Sequence, residues 1–376
     1  MHVALVTETY PPEINGVALT VHNLRQGLLD LGHRVSLVRP QQPNDTAEGV
    51  PGQLLVRGMA LPRYPGLRFG LPARRRLERS WRQQRPDAIY VATEGPLGWS
   101  AVRAATGLDI PVATGFHTRF DEFVRHYGAG FLTPLVFGWM RRFHNRAQAT
   151  LVPTGELRDF LAGQRFDRPV LLSRGVDTHK FAPSRRDPAL RTELGIADDA
   201  LLVSYVGRIA PEKNLDLAVR AFRAIQQARP NARYLWVGDG PARAALAREN
   251  PDFLFAGMQR DLDLARHFAS SDLFLFPSLS ETFGNVTLEA MACGVATVAF
   301  DYGAAREHLQ NGLHGAALAV DDADGFVAAA RSIATDDALR RNMGHSARAA
   351  VEHLGPAAVA RSFADLLSAL ATERTG

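Results

Sequence analysis

Cysteine is almost missing from this chain of 376 residues. Cys293 stands alone, which excludes an internal disulfide and a zinc site built on cysteines. Its neighbours are small and apolar, so it reads as a core residue. Also missing is any apolar run of the 18 or so residues that a membrane span requires. Met1-His2-Val3-Ala4-Leu5-Val6 enters directly as a strand with no basic leader, so the protein is expected in the cytoplasm. No Gly-x-Gly-x-x-Gly follows that strand, which disfavours a bound dinucleotide. Residues 1–175 contain no lysine: their 22 cations, against 14 acids, are all arginine, and the remainder carries 21 basic and 25 acidic residues, for a net charge of +4. The basic half could meet nucleic acid, anionic lipid or only water.

What the chain does have is regular alternation. Its hydrophobic fraction of 46% is ordinary for a soluble globular protein, and its length is comfortable for two domains. Strand candidates at 2–8, 34–39, 54–57, 87–93, 112–116, 149–153 and 170–173 alternate with helices, and a second set follows at 201–206, 233–237, 253–256, 272–276 and 295–300. Each set reads as one doubly wound parallel sheet. A polar, proline-containing link near 176–188 separates them. The expected domains are therefore residues 1–178 and 179–355, with 356–376 a final helix that crosses back to the first. Two such domains facing each other leave a cleft at the carboxyl ends of their strands, where open sheets bind ligands.

The residues that carry chemistry cluster at those strand ends. Ser280-Glu281-Thr282-Phe283-Gly284-Asn285-Val286-Thr287-Leu288-Glu289 sets two glutamates eight apart where a loop becomes a helix. Asn285 is expected to cap that helix, and N–H groups around Phe283, Gly284 and Asn285 would face an anion held by the helix dipole. Taken alone, Glu281 and Glu289 read as surface acids; their neighbours alter that. Gly207-Arg208-Ile209-Ala210-Pro211-Glu212-Lys213 offers a planar fork and a mobile point charge after a strand, with Lys213 just before a helix capped by Asn214, a combination suited to a diphosphate. Gly16, in Asn15-Gly16-Val17, sits in a loop before a helix, as a ligand-side glycine or an ordinary turn. His117, after the strand 112–116, either relays a proton or hydrogen-bonds a hydroxyl, or is satisfied by backbone. Phe120, Phe123, Val124, Tyr127, Phe131, Leu132, Leu135, Val136, Trp139 and Phe143 follow it on two expected helices, as core or as a surface for an apolar acceptor. Asp261-Leu262-Asp263 looks like a metal-binding acidic pair but is expected to cap a helix over 262–269, and Gly238-Asp239-Gly240-Pro241 reads as a structural turn.

In this order, Asn15-Gly16-Val17, His117, Arg174-Gly175-Val176-Asp177 with Phe181, Gly207-Arg208 with Lys213, Gly238-Asp239-Gly240-Pro241 and Glu281 to Glu289 resemble the retaining glycosyltransferases of family four. The opening segment and the His117 region look most like its mannosyltransferase and bacterial glycolipid-synthase branch. The resemblance implies the α/β architecture called GT-B, two Rossmann-like domains facing across a cleft. It implies that Arg208 and Lys213 stabilise a leaving diphosphate, and that Gly16 and the backbone near Gly284, Asn285 and Val286 hold phosphate and sugar. By the same resemblance Glu281 binds the donor sugar, Glu289 the ribose hydroxyls, backbone near Met258 the base, and His117 lies beside the reacting carbon. No metal or other cofactor is expected, because two cations and helix-start N–H groups oppose the leaving-group charge.

The implied reaction moves a hexose, mannose or glucose, from a nucleotide diphosphate sugar such as GDP-mannose or UDP-glucose to an acceptor hydroxyl with retention. The expected acceptor is a membrane lipid such as diacylglycerol or a phosphatidylinositol-type lipid. The segment opened by Arg57 and closed by Arg85, with Tyr64, Leu67, Phe69 and Leu71 ahead of Arg74, Arg75, Arg76, Arg79 and Arg82, is a candidate anionic-membrane surface, or else a solvated helix face. The alternatives are an epimerase of the same fold and a transferase acting on a soluble or polysaccharide acceptor. Nucleic acid is not an expected partner, since the arginine run lacks interleaved aromatics apart from Trp81.

Overall fold

The computed structural model describes residues 1–13, 15–43, 45, 52–60, 68–117, 133–197, 199–279 and 281–373. It divides into two units, one of Met1–Ser173 with Pro356–Gly376, the other of Arg174–Gly355. The first crossing thus falls a few residues before 178/179.

In the first unit the strands are β1 (His2–Val6), β2 (Arg34–Pro40), β3 (Gln53–Val56), β4 (Gly58–Ala60), β5 (Arg68–Gly70), β6 (Ala88–Val91), β7 (Val112–Gly115), β8 (Ala149–Val152) and β9 (Pro169–Leu171). Seven of them form a sheet in the order β3-β2-β1-β6-β7-β8-β9, parallel throughout. Between neighbouring parallel strands a helix must cross over, and the sequence supplies α1 (Gly16–Asp30), α2 (Arg74–Gln83), α3 (Pro96–Gly107), α4 (Thr133–His144) and α5 (Gly155–Gly163). Because side chains alternate along a strand, Val3 and Leu5 face one layer with Leu24, Leu28, Phe363 and Leu367. Ala4 and Val6 face the other with Leu77, Trp81, Leu97 and Val102. The arginine run is therefore a helix that buries only Leu77 and Trp81, one turn apart, and turns Arg75, Arg76, Arg79 and Arg82 outward. Arg85 leaves that surface and donates to Leu108 O and Asp109 O at 2.8 Å each. The C-terminal helix, Pro356–Thr372, packs on α1, where Gly27 leaves room for Ala360.

The second unit contains β10 (Leu202–Val206), β11 (Arg233–Val237), β12 (Leu254–Gly257), β13 (Leu273–Phe276), β14 (Ala296–Phe300) and β15 (Gly315–Leu318), in the order β12-β11-β10-β13-β14-β15. Its helices are α6 (Pro188–Glu193), α7 (Leu215–Ala228), α8 (Arg243–Glu249), α9 (Asp261–Ser270), α10 (Asn285–Ala292), α11 (Gly303–His308), α12 (Ala323–Thr335) and α13 (Asp337–Val351). Two aromatic-rich layers sandwich the sheet, one with Leu235, Phe268, Phe274 and Leu288, the other with Tyr205, Phe222, Tyr234 and Trp236. Both units are Rossmann-like. In each, the strand order reverses beside the first strand, β1/β6 and β10/β13, which fixes where a ligand crevice opens.

Several expectations change. The hairpin of β4 and β5 and the edge strand β15 were not among the strand candidates. Asn285 does not cap α10: Gly284 is its N-cap, left-handed at φ 86° and without a side-chain bond. Asn214, also left-handed at φ 55°, makes no capping bond to α7. Nor do Asp261 and Asp263 cap α9; Arg260 holds that position and both acids lie in the first turn, complementing the dipole, with Asp261 paired to Lys180 at 3.0 Å. Asn15 is a true cap, accepting from Ala18 N at 2.9 Å.

A side chain at Gly27 would strike Ala360 Cβ, whereas one at Gly138 in α4 meets open space. Gly27→Leu is expected to cost on the order of 1–3 kcal/mol and to expose the C-terminal helix to protease, while Gly138→Ala stabilises by about 0.5–1 kcal/mol. Thermal denaturation with limited proteolysis checks both.

Candidate functional site

In the second unit, β10 and β13 are neighbours, Val203 opposite Leu273 and Ser204 opposite Phe274, so the loops leaving their carboxyl ends must meet. One carries Arg208 and Lys213, the latter ending the tight turn Pro211–Lys213; the other carries Glu281. Lys213 Nζ donates to Glu281 Oε1 at 2.6 Å, and these side chains keep only 15% and 22% of their exposure. Ser278 Oγ donates to the same oxygen at 2.9 Å. Tyr302 Oη donates to Ser278 O at 2.6 Å and accepts from Glu281 N at 3.2 Å, so one phenol braces both ends of this loop. Arg208 is half exposed and lies 3.6 Å from Glu212. Its carbonyl accepts from buried Tyr205 Oη at 3.0 Å, and that phenol is pushed well up, chiefly by burial and further by Glu281 and Glu212.

Beyond Glu281 the chain turns into α10. Gly284 takes the left-handed backbone there, and Phe283 is buried with Arg174 stacked 6.0 Å from its ring. Helix geometry leaves the first N–H groups of α10, at Asn285 and Val286, without intrahelical acceptors. Glu289 lies one turn further in. Its side chain keeps some solvent contact, yet the protein packed around it raises the carboxyl to about 7, with Lys180 pulling the other way. Lys180 is placed by Asp177, whose carboxylate accepts from His179 N and Lys180 N at 3.0 and 2.9 Å. Met258 is exposed after β12. Gly238 and Gly240 let the β11 loop touch the backbone of Gly207 and Ile209; any side chain at either position would collide there, which supports their structural reading.

In the first unit, His117 stands two residues beyond β7 and shares a 2.7 Å hydrogen bond between Nε2 and Tyr90 Oη. Tyr90 is buried on β6, and Gly115 is small because a Cβ there would meet that hydroxyl and the imidazole. Gly16 opens α1 with nothing near its missing side chain. The loop before it is laced by Thr9 Oγ1 donating to Glu13 at 2.6 Å and Asn15 Nδ2 donating to Thr9 at 2.7 Å. Glu8, buried at the end of β1, accepts from Gly70 N and from Leu97 N at 2.9 Å and thus ties β5 to the start of α3; burial raises it to about 7 against those bonds. Of the expected residues, the structure joins Lys213 with Glu281 and sets Phe283 to Glu289 in one loop and helix. Tyr302, Ser278, Tyr90, Lys180 and Glu8 were not anticipated. Ser280, Tyr64, Leu67 and the apolar residues from Phe120 to Leu132 lie outside the described residues, so only α4 represents that second segment.

Residues 14–180 match the model described as Glycosyltransferase Family 4 and residues 200–336 that of Glycosyl transferases group 1. The chain is 34% identical over 361 residues to a GDP-mannose-dependent alpha-mannosyltransferase of Mycolicibacterium smegmatis, covering 93% of this chain and 92% of that one. It is 31% identical to a phosphatidyl-myo-inositol mannosyltransferase of the same organism, over 89% and 84% of the two chains. A sucrose-phosphate synthase from Thermosynechococcus elongatus shares the fold with a TM-score of 0.77 at 20% identity, covering 98% of each. The two-sheet architecture, the order of its loops and these matches agree: the chain belongs to the glycosyltransferases of family four, with their GT-B fold.

Proposed function

We propose that this protein is a retaining hexosyltransferase that moves mannose from GDP-mannose to a hydroxyl of a membrane lipid. The observation that carries the reading is that Lys213, paired with Glu281, Arg208 on the same loop as Lys213, and the start of α10 just after Glu281 all lie on the two loops leaving the β10/β13 crossover. A diphosphate needs cations and N–H donors; a sugar needs a carboxylate. That crossover offers both. The mannosyl donor and lipid acceptor are favoured by the names of the two mycobacterial relatives.

In this reading Arg208 and Lys213 meet the diphosphate, with N–H groups of Gly284, Asn285 and Val286 and the Gly16 loop completing the hold on phosphate and sugar. Glu281 accepts from hexose hydroxyls, Glu289 from the ribose, and backbone at Met258 faces the base. As the bond from the sugar carbon to the diphosphate oxygen breaks, its electron pair goes to that oxygen, where the two cations oppose the charge. The acceptor oxygen bonds to the same carbon from the leaving-group face, and its proton passes to the departing phosphate. His117, oriented by Tyr90, hydrogen-bonds the reacting sugar. No step calls for a metal ion.

Charged hydrogen bonds are worth about 1.5–3 kcal/mol. Arg208→Ala and Lys213→Ala are each expected to lower kcat by roughly ten- to a hundredfold or more with the fold intact; wild-type turnover in the double variant would remove the leaving-group assignment. NMR of the product should show the α configuration of the donor carried over, and a β product would refute retention. Ribose hydroxyls donate best to an ionised Glu289, which the free protein holds at about 7. Since GDP-mannose has no terminal phosphate to titrate, its Kd should rise as pH falls below 7, by up to tenfold per pH unit. Glu289→Gln should bind more weakly at pH 8 and lose that slope; a slope kept by the variant would show another group to be responsible.

A further inference from the structure

The reading above uses neither an apolar hollow of the first unit nor the arginines around it. Pro72, Gly95, Pro96, Trp99, Ser100 and Trp139 line a groove of about 710 Å³ between the start of α2, α3 and α4, together with Arg74, Arg103 and Arg142. Its floor is aromatic. Trp99 and Trp139 lie 5.9 Å apart, and Trp139 stays 44% exposed where an apolar ring is ordinarily covered. On α4 and the turn after it, Leu135, Trp139, Arg142 and Arg146 follow at helical spacing, so one stripe grades from exposed leucine through tryptophan to guanidinium.

The cations here differ from the outward arginines of α2 in having exposed apolar groups, Leu135 and Trp139, on the same surface. Arg74 is paired with Glu78 at 2.7 Å. Arg103, Arg142 and Arg146 have no carboxylate partner among the described residues, and Arg103 and Arg146 instead stack 5.5 and 5.9 Å from the Trp99 ring. The buried Nε1 of Trp99 likewise has no acceptor among the described residues. An occupant must bring apolar volume, negative charge and hydrogen-bond acceptors together. A protein partner would supply carboxylates over a flat area, whereas an amphiphile supplies all three at one point.

We propose that this groove docks the protein on anionic bilayers, with Trp139 and Leu135 at the acyl boundary and Arg103, Arg142 and Arg146 on phospholipid phosphates. The docking surface is thereby α3 and α4, and not the outward arginines of α2. It goes beyond the transferase reading and does not depend on it.

The test is flotation of the full chain with phosphatidylcholine vesicles, with and without about 30% phosphatidylglycerol, at low salt. Wild type should float only with the anionic vesicles. Each arginine near such a surface contributes about fivefold, so the Arg103→Gln, Arg142→Gln, Arg146→Gln triple should lose on the order of a hundredfold in partitioning. Arg75→Gln, Arg76→Gln, Arg79→Gln on α2 should lose at least tenfold less, and Trp139→Ala should weaken binding and reduce quenching by brominated lipid. Equal losses from the two triples, equal binding to neutral vesicles, or a groove covered instead by a second copy, seen as a doubled mass in solution with no flotation, would each overturn the proposal. Thermal stabilisation by GDP-mannose should be unchanged in the first triple, which separates failure here from failure of the donor assignment.

Discussion

The pairing of β10 with β13 is the constraint from which the rest of the site follows. Parallel neighbours cannot be joined by a short turn, so the intervening chain travels through β11, β12 and three helices before returning. Residues 68 apart then leave adjacent strand ends side by side. Arg208 and Lys213 arrive on one loop, Glu281 on the other, and α10 begins immediately after. Neither loop would hold its charge in place alone. A carboxylate beside a lysine, both largely removed from water, makes each the counterion of the other; removing one would leave a poorly solvated charge. Ser278 then donates to the carboxylate, and Tyr302 holds the backbone on either side of it, by hydrogen bonds that do not depend on a ligand.

The same constraint shapes what a ligand would displace. Lys213 satisfies Glu281 in the free protein, and an arriving diphosphate would compete for that ammonium while sugar hydroxyls replace it on the carboxylate. In the proposed reaction the exchange swaps charge for charge between side chains already largely removed from water, so little reorganisation is required. Glu289 is a different case. Among the described residues it has no hydrogen bond to hold its negative charge, only Lys180 at longer range, and its carboxyl rises accordingly. One glutamate has a cation as its direct partner, and the other stands near its titration point at neutral pH.

Much of this was legible in the residues because buried parallel strands are continuous apolar runs. All twelve strand candidates became strands of the two sheets. β15 escaped because Gly315-Ala316-Ala317-Leu318 is short and small, without the branched or aromatic residues that mark a strand, and is recruited only by pairing with β14. The capping expectations failed for a related reason. Asn285 and Asn214 have the right side chains, but the incoming backbone is left-handed at Gly284 and Asn214 and places no side-chain oxygen over the first turn. The glutamates and cations were visible as motifs, whereas Tyr302, Tyr90 and Glu8 were not, since a single tyrosine or glutamate in a core has no local pattern. Their roles exist only once distant strands are adjacent.

One signal in the sequence would have located more of the site. Lysine occurs twice in the whole chain, at 180 and 213. Arginine does the structural work: Arg191 is buried and donates to Ala200 O at 2.7 Å and Ser270 O at 3.1 Å, and Arg348 closes the far end of α10 by donating to Ala292 O at 2.8 Å and Phe181 O at 2.9 Å. A planar fork that satisfies several carbonyls at once suits a bond that must not change. A single mobile ammonium suits one that must. Lys213 on Glu281 and Lys180 on Asp261, near Glu289, are the two lysine ion pairs, and both lie beside the carboxylates that the proposed reading gives to the donor. In a chain that otherwise uses arginine for every cation, keeping lysine at these two positions is itself an argument that their partners are exchanged during the reaction.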